Sequence, residues 1–151
     1  MLIQLEELFT INNIYLWINF GILPFWLMLI FIPNSKFTQF FINSILLPLI
    51  LSFAYIYVAY QLILLDEPLL NIFMLYLNLD NLYTVFATES FLLIFWLHFV
   101  SINIFAGSWV SRDSIRYSIP RFISGFSLIL IYFVGPVGIL FHWLFRVFFA
   151  K

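Results

Sequence analysis

The sequence predicts an all-α protein: a four-span transmembrane helix bundle with one additional interfacial helix between spans two and three. Three observations carry this. Hydrophobic residues make up 65% of the 151 and charged residues 9%, with a mean hydropathy of +1.11, where a soluble domain carries about 25% charged residues. No charge interrupts Ser90 to Val110, roughly 20 positions, the length a helix needs to cross a hydrocarbon core of about 30 Å. Apolar runs of that order recur between breakers such as Pro33-Asn34-Ser35-Lys36 and Asp66-Glu67-Pro68.

The elements follow in order within a single integral membrane domain, residues 1–151. The first span covers about 14–32, with Pro24 expected to kink it and Tyr15 and Trp17 suited to an interfacial belt. Proline and small polar residues then turn the chain at 33–36. The second span, about 44–65, carries Tyr55, Tyr57 and Tyr60; at least one hydroxyl is expected to turn inward for a partner. Residues 69–86 mix apolar side chains with Asn71, Asn78, Asp80 and Asn81, which disfavours a crossing and predicts a surface-lying helix. The third span, about 90–110, holds His98 and Asn103 and opens into a solvated cationic loop with Arg112, Asp113, Arg116 and Arg121. The fourth, about 122–149, exceeds one straight crossing, and a kink is expected at Gly135-Pro136-Val137-Gly138. Four crossings would put Lys36, Arg112, Arg116 and Arg121 on one side, and Arg146 and Lys151 on the other.

Composition also excludes chemistry. The absence of cysteine removes disulfides, thiolate nucleophiles, iron–sulfur clusters and thiolate zinc sites. No metal site is expected, since neither histidine belongs to a Glu-x-x-His pair. A near-neutral chain without a basic helix is not expected to bind nucleic acid. Polar groups inside the spans cost free energy against lipid, so His98, His142 and Asn103 are expected to face other helices and meet in the core. Trp96, Asn103 and Gly107 share one face of the third span, and His98 and Trp109 a neighbouring one. In the fourth, Gly135, Gly138 and His142 share a face, with Tyr132 one turn earlier. Each histidine is expected either to hydrogen-bond a carbonyl or side chain across helices or to bind or exchange a proton with a membrane-soluble ligand; on the second reading His98 and His142 are the candidate catalytic residues. Trp96, Asn103, Gly107, Trp109, Tyr132, Gly135 and Gly138 are the candidate ligand-binding residues. Glu89 suits a helix N-terminus.

Several short landmarks span almost the whole chain. They are Leu23-Pro24-Phe25-Trp26 before the Pro33 turn, Tyr55-Ile56-Tyr57, and Trp96-Leu97-His98-Phe99. Asn103-Ile104-Phe105-Ala106-Gly107 with Trp109 follows, then Gly135-Pro136-Val137-Gly138 with His142. In these the sequence resembles the abscisic-acid-deficient, neoxanthin-synthase-like family of small integral membrane proteins of plants, algae and cyanobacteria. The resemblance implies four spans in a thylakoid or other plastid or cyanobacterial membrane, and a xanthophyll ligand. It also implies a part in making neoxanthin from violaxanthin, an epoxide-to-allene isomerisation. That reaction needs an acid at the epoxide oxygen and a base for the departing proton, roles that fall to His98 and His142. Asn103 stands where the family pattern has an aspartate, and an amide cannot serve as carboxylate acid or base. No cofactor is implied beyond a bound carotenoid; the partners are membrane lipids, the xanthophyll and subunits of a photosynthetic complex. The alternative is a non-enzymatic small subunit or assembly factor of such a complex.

Overall fold

The computed structural model describes residues 9–44, 46–64 and 77–149, and all their regular structure is helical. The helices are α1 (Ile11–Phe31), a short π-helix (Thr38–Ile42), α2 (Leu46–Leu64), α3 (Leu79–Phe86), α4 (Glu89–Arg116), α5 (Arg121–Val134) and α6 (Pro136–Phe149). The breaker at 66–68 and the first part of the expected interfacial helix, 69–76, lie outside the described residues. What is described of that helix is α3, capped by Asn78, whose side chain accepts from the Asp80 N–H at 3.0 Å.

Local rules account for most boundaries. Thr10 caps α1 by accepting from the Asn13 N–H, and Ile14, Ile18, Ile22, Trp26 and Leu29 recur at helical spacing as its buried stripe. Pro24 is exposed, and α1 continues through it. The polar turn after α1 satisfies itself: the buried Thr38 hydroxyl donates to the Ile32 carbonyl at 2.9 Å, and the Thr38 N–H to the Ser35 hydroxyl at 3.0 Å. Arg112 donates to the Asn43 carbonyl at 2.9 Å, tying this turn to α4. None of Tyr55, Tyr57 and Tyr60 turns inward; all three are exposed, and the Tyr57 hydroxyl accepts locally from Gln61.

The centre of the fold is α4. It carries more buried positions than any other described helix, and α1, α2 and α5 all pack on it. Its 28 residues run beyond the expected 90–110, so Arg112, Asp113 and Arg116 belong to a helix rather than a solvated loop. Glu89 occupies the first turn, as expected for a carboxylate at the positive end of a helix.

The largest departure concerns 122–149. Gly135, at φ +31°, ends α5, and Pro136 starts α6 in the opposite direction. The rings of Phe126 and Phe141 are 5.0 Å apart, whereas one continuous helix would separate these residues by about 22 Å. A side chain at Gly138 would collide with the Ile131 backbone and sit 2.7 Å from the Ser127 carbonyl, so the two arms touch backbone to backbone. The segment is therefore an antiparallel helical hairpin, not one kinked crossing. Each arm has 14 residues and rises about 21 Å, short of a bilayer core. The tip lies against Asn103, midway along α4: a Cβ at Gly135 would stand 2.7 Å from Asn103 Oδ1.

Among the described helices, Ile11–Phe31 and Glu89–Arg116 are long and apolar enough to cross a membrane, while Leu46–Gln61 and the two hairpin arms are shorter apolar stretches. The exterior is greasy: Phe20, Phe31, Phe53, Phe122 and Phe133 are all more than half exposed. Such a surface suits lipid and not water. The hairpin also moves Arg146 to the end that holds Arg112, Arg116 and Arg121, reversing its expected side.

If the hairpin depends on this contact, Gly138→Val, which must displace backbone, should cost roughly 1–3 kcal/mol and lower the thermal midpoint in detergent by several degrees. Gly21→Ala should stay within about 0.5 kcal/mol, since a Cβ there meets open space. Equal midpoints for the two variants would refute the backbone contact.

Candidate functional site

Among the described residues, two constellations of polar side chains gather the expected site residues. The first surrounds a cavity of about 180 Å³ near the hairpin tip. From α1 come Asn19, Ile22 and Trp26; from α4, Trp96, Phe99, Val100 and Asn103; from α5, Tyr132 and Phe133. The α1 set is spaced i, i+3, i+7 and the α4 set i, i+3, i+4, i+7, so each helix offers one face. Gly107 lets Trp26 lie against α4, for a Cβ there would come within 2.7 Å of the indole ring. Trp26 meets Tyr132 edge-on at 5.5 Å, and Trp96 stacks on Phe99 at 5.4 Å.

The hydrogen bonds of this cavity leave the buried Asn103 amide donor unpaired. Trp96 Nε1 donates to Asn19 Oδ1 at 3.1 Å, and Asn19 Nδ2 donates to the Tyr15 carbonyl at 2.7 Å. Asn103 is only 6% exposed, yet its Nδ2 has no partner. A buried amide N–H without an acceptor costs about 1–3 kcal/mol. An oxygen-bearing ligand in the cavity would remove that cost. Among the described residues, no carboxylate, imidazole or basic side chain lines the cavity.

The second constellation pins the returning arm of the hairpin to the end of α4. His142 is fully buried, and its Nε2 lies 3.0 Å from Asp113 Oδ2. The tautomer that suits this contact carries its proton on Nε2 and donates to the carboxylate; His142 Nδ1 is left without a partner. Arg146 Nε lies 2.9 Å from the same oxygen, an ion pair by distance whose N–H is not aimed for a hydrogen bond. The Arg146 guanidinium also donates to the Tyr117 hydroxyl at 3.0 Å and sits 4.6 Å from that ring's centroid. The Trp109 ring closes the side of His142, edge-on at 5.7 Å. One buried acid therefore serves one cation and one imidazole, which balances the local charge.

The expected site residues separate accordingly. Trp96, Asn103 and Tyr132 meet at the cavity. Gly107 and Gly135 shape its walls without lining it, and Gly138 belongs to the hairpin contact. Trp109 packs on His142. The two imidazoles do not meet: His98 is exposed on the outer face of α4 with Ile102 and Phe105. His142 sits beside Trp109 and Asp113, 11 to 15 positions away or about 16–22 Å along the helix. The residue reading missed Asp113, Arg146 and Tyr117 as partners, and Asn19 and Phe99 as cavity walls. A signal for Asp113 existed, because it follows Ala106 by seven and Val110 by three and so shares their buried face.

Asp113→Asn should leave the partly exposed Arg146 without a counter-charge and destabilise the protein by roughly 1–3 kcal/mol, read as a lower thermal midpoint. Adding Arg146→Met should restore part of the loss. Additive destabilisation in the double variant would contradict the pairing.

No curated protein and no solved structure matches the chain. A family model described as ABA DEFICIENT 4-like matches residues 13–142, most of the sequence and every element from α1 to His142 in α6. The chain belongs to this ABA DEFICIENT 4-like family, which links it to carotenoid- and xanthophyll-related processes.

Proposed function

We propose that the chain holds a xanthophyll in the membrane, with one oxygenated ring end in the cavity at the hairpin tip. The observation that carries this reading is Asn103 Nδ2, a buried donor without an acceptor beside an aromatic cavity. The ring of a xanthophyll is apolar in body and carries a hydroxyl or epoxide oxygen, so it offers aromatic contact and an acceptor together. The cavity is too small for a whole carotenoid, whose polyene would leave past the exposed Phe133 into the acyl chains. In this reading α1, α2 and α4 cross the bilayer and the α5–α6 hairpin enters and leaves by one face. The membrane is a photosynthetic one, where such pigments reside.

Isomerisation of an epoxide to an allene needs a general acid and a general base. Within the cavity the Tyr132 hydroxyl and the Asn103 amide can donate to an epoxide oxygen, but none of the described lining side chains is a base. His142 is engaged with Asp113, and His98 faces outward. Binding and presentation to a partner enzyme therefore fit better than unaided catalysis. A second reading, a small subunit of a photosynthetic complex, is favoured by the outer face of α6, where Trp143, Leu144, Val147 and Phe148 are exposed.

The test is purification in mild detergent after incubation with violaxanthin, followed by visible absorption and product analysis. Wild-type protein should retain pigment, Asn103→Leu should retain about tenfold less, and His98→Ala should match wild type. Pigment retention unaffected by Asn103→Leu would overturn the site. Co-purification with a larger complex and no pigment would favour the subunit reading.

A further inference from the structure

A second cavity, of about 360 Å³, lies at the opposite end of α5 from the hairpin tip, where α1 ends, α4 ends and α5 begins. Its polar lining is Asn34, Ser111, Ser114, Ser118, Arg121 and Ser124. Local geometry supplies several of these groups. α4 stops at Arg116, Ser118 takes φ +52°, and Pro120 occupies the N-cap of α5, where it supplies no side-chain cap to the first-turn amides. Those amides and the helix dipole make this end of α5 electropositive. Arg121 stands on the same turn and makes no ion pair among the described residues.

Two buried hydroxyls point to a missing partner. Ser111 and Ser114 are 2% and 5% exposed, border the cavity, and have no hydrogen-bond partner for either Oγ. A helical serine ordinarily turns its hydroxyl back to a carbonyl of the preceding turn, as Ser127 and Ser124 do. The local charge tells which ligand would satisfy them. Lys36, Arg112, Arg116, Arg121 and Arg146 all sit at this end of the bundle, and the one described acid there, Asp113, is taken up by His142 and Arg146. What remains is a set of hydroxyl, amide and guanidinium donors without a facing carboxylate.

From this we infer a binding site for a tetrahedral oxyanion, a phosphate or sulfonate, presented by an anionic lipid headgroup. Arg121 and the α5 amides hold the anion from one side, and the Ser111 and Ser114 hydroxyls donate from the other. The lipid source is favoured by the rim: Phe31, Ile32 and Phe122, exposed at 68%, 50% and 85%, flank the cavity residues in sequence and offer a surface for acyl chains. A cluster of cations at one end of a bundle is also where anionic leaflets are met. This site is independent of the xanthophyll cavity.

Native mass spectrometry of the full chain released from detergent tests the assignment, with phosphatidylglycerol, diacylglycerol and inorganic phosphate as probes. Phosphatidylglycerol should be retained by wild type and by Arg116→Gln. Retention should fall about tenfold in Arg121→Gln and in Ser111→Ala/Ser114→Ala, and diacylglycerol should not be retained by any of them. If millimolar inorganic phosphate displaces the lipid from wild type, the anion is the recognised group. If phosphate alone binds, and only with Arg121 intact, the site stands with a free anion as its ligand. Equal retention of phosphatidylglycerol by wild type and by both cavity variants, at unchanged thermal midpoints, would overturn the site.

Discussion

Inside an apolar bundle a buried carboxylate needs a cation and hydrogen-bond donors within reach. Asp113, on the last turns of α4, receives both from α6, through Arg146 and His142. That requirement fixes where the end of the chain must lie. α6 cannot continue away from α5 toward the far end of the bundle and still bring these residues back to Asp113. The reversal at Gly135 and the bare backbone at Gly138 are what make the return sterically feasible, because side chains at either position would strike Asn103 or the α5 backbone.

The same reversal creates the cavity. Because the hairpin stops midway along α4, its tip places Tyr132 and Phe133 opposite Trp96 and Phe99, and Asn103 is enclosed without finding an acceptor for its Nδ2. A straight helix over 122–149 would instead carry Gly138 and His142 past Asn103 toward the other end. Charge segregation follows as well. With the return arm in place, Arg146 joins the other described cations at one end, while Asp80 and Glu89 mark the opposite one. The bundle thus has a cationic end rich in unfilled hydrogen-bond donors and an aromatic interior with one spare amide.

Much of this was legible in the sequence, and the failures share a physical cause. The helical class, the three long apolar elements, Glu89 at a helix start and the common face of Trp96 and Asn103 all follow from periodicity and breakers. The polarity of 122–149 does not, because Gly-Pro inside an apolar run signals a kink and a full reversal equally well. Length supplied the only hint, since 28 residues is too many for one crossing and the right number for two short arms. The rule that imidazoles avoid lipid pairs His98 with His142, whereas His98 keeps to the outer face of α4. The surrounding arginines suggest a solvated Asp113, whereas its spacing from Ala106 and Val110 puts it on the buried face.

The reversal itself is open to direct measurement, because the chain has no cysteine of its own. Single cysteines at Phe122 and Phe149, both exposed and at the free ends of the two arms, can be treated with a membrane-impermeant maleimide in oriented vesicles. The hairpin requires that both react from the same side of the membrane, the side from which Lys36→Cys also reacts. Labelling of Phe122→Cys and Phe149→Cys from opposite sides would mean that the segment crosses, and the account of Asp113, the tip and the cavity would fall with it.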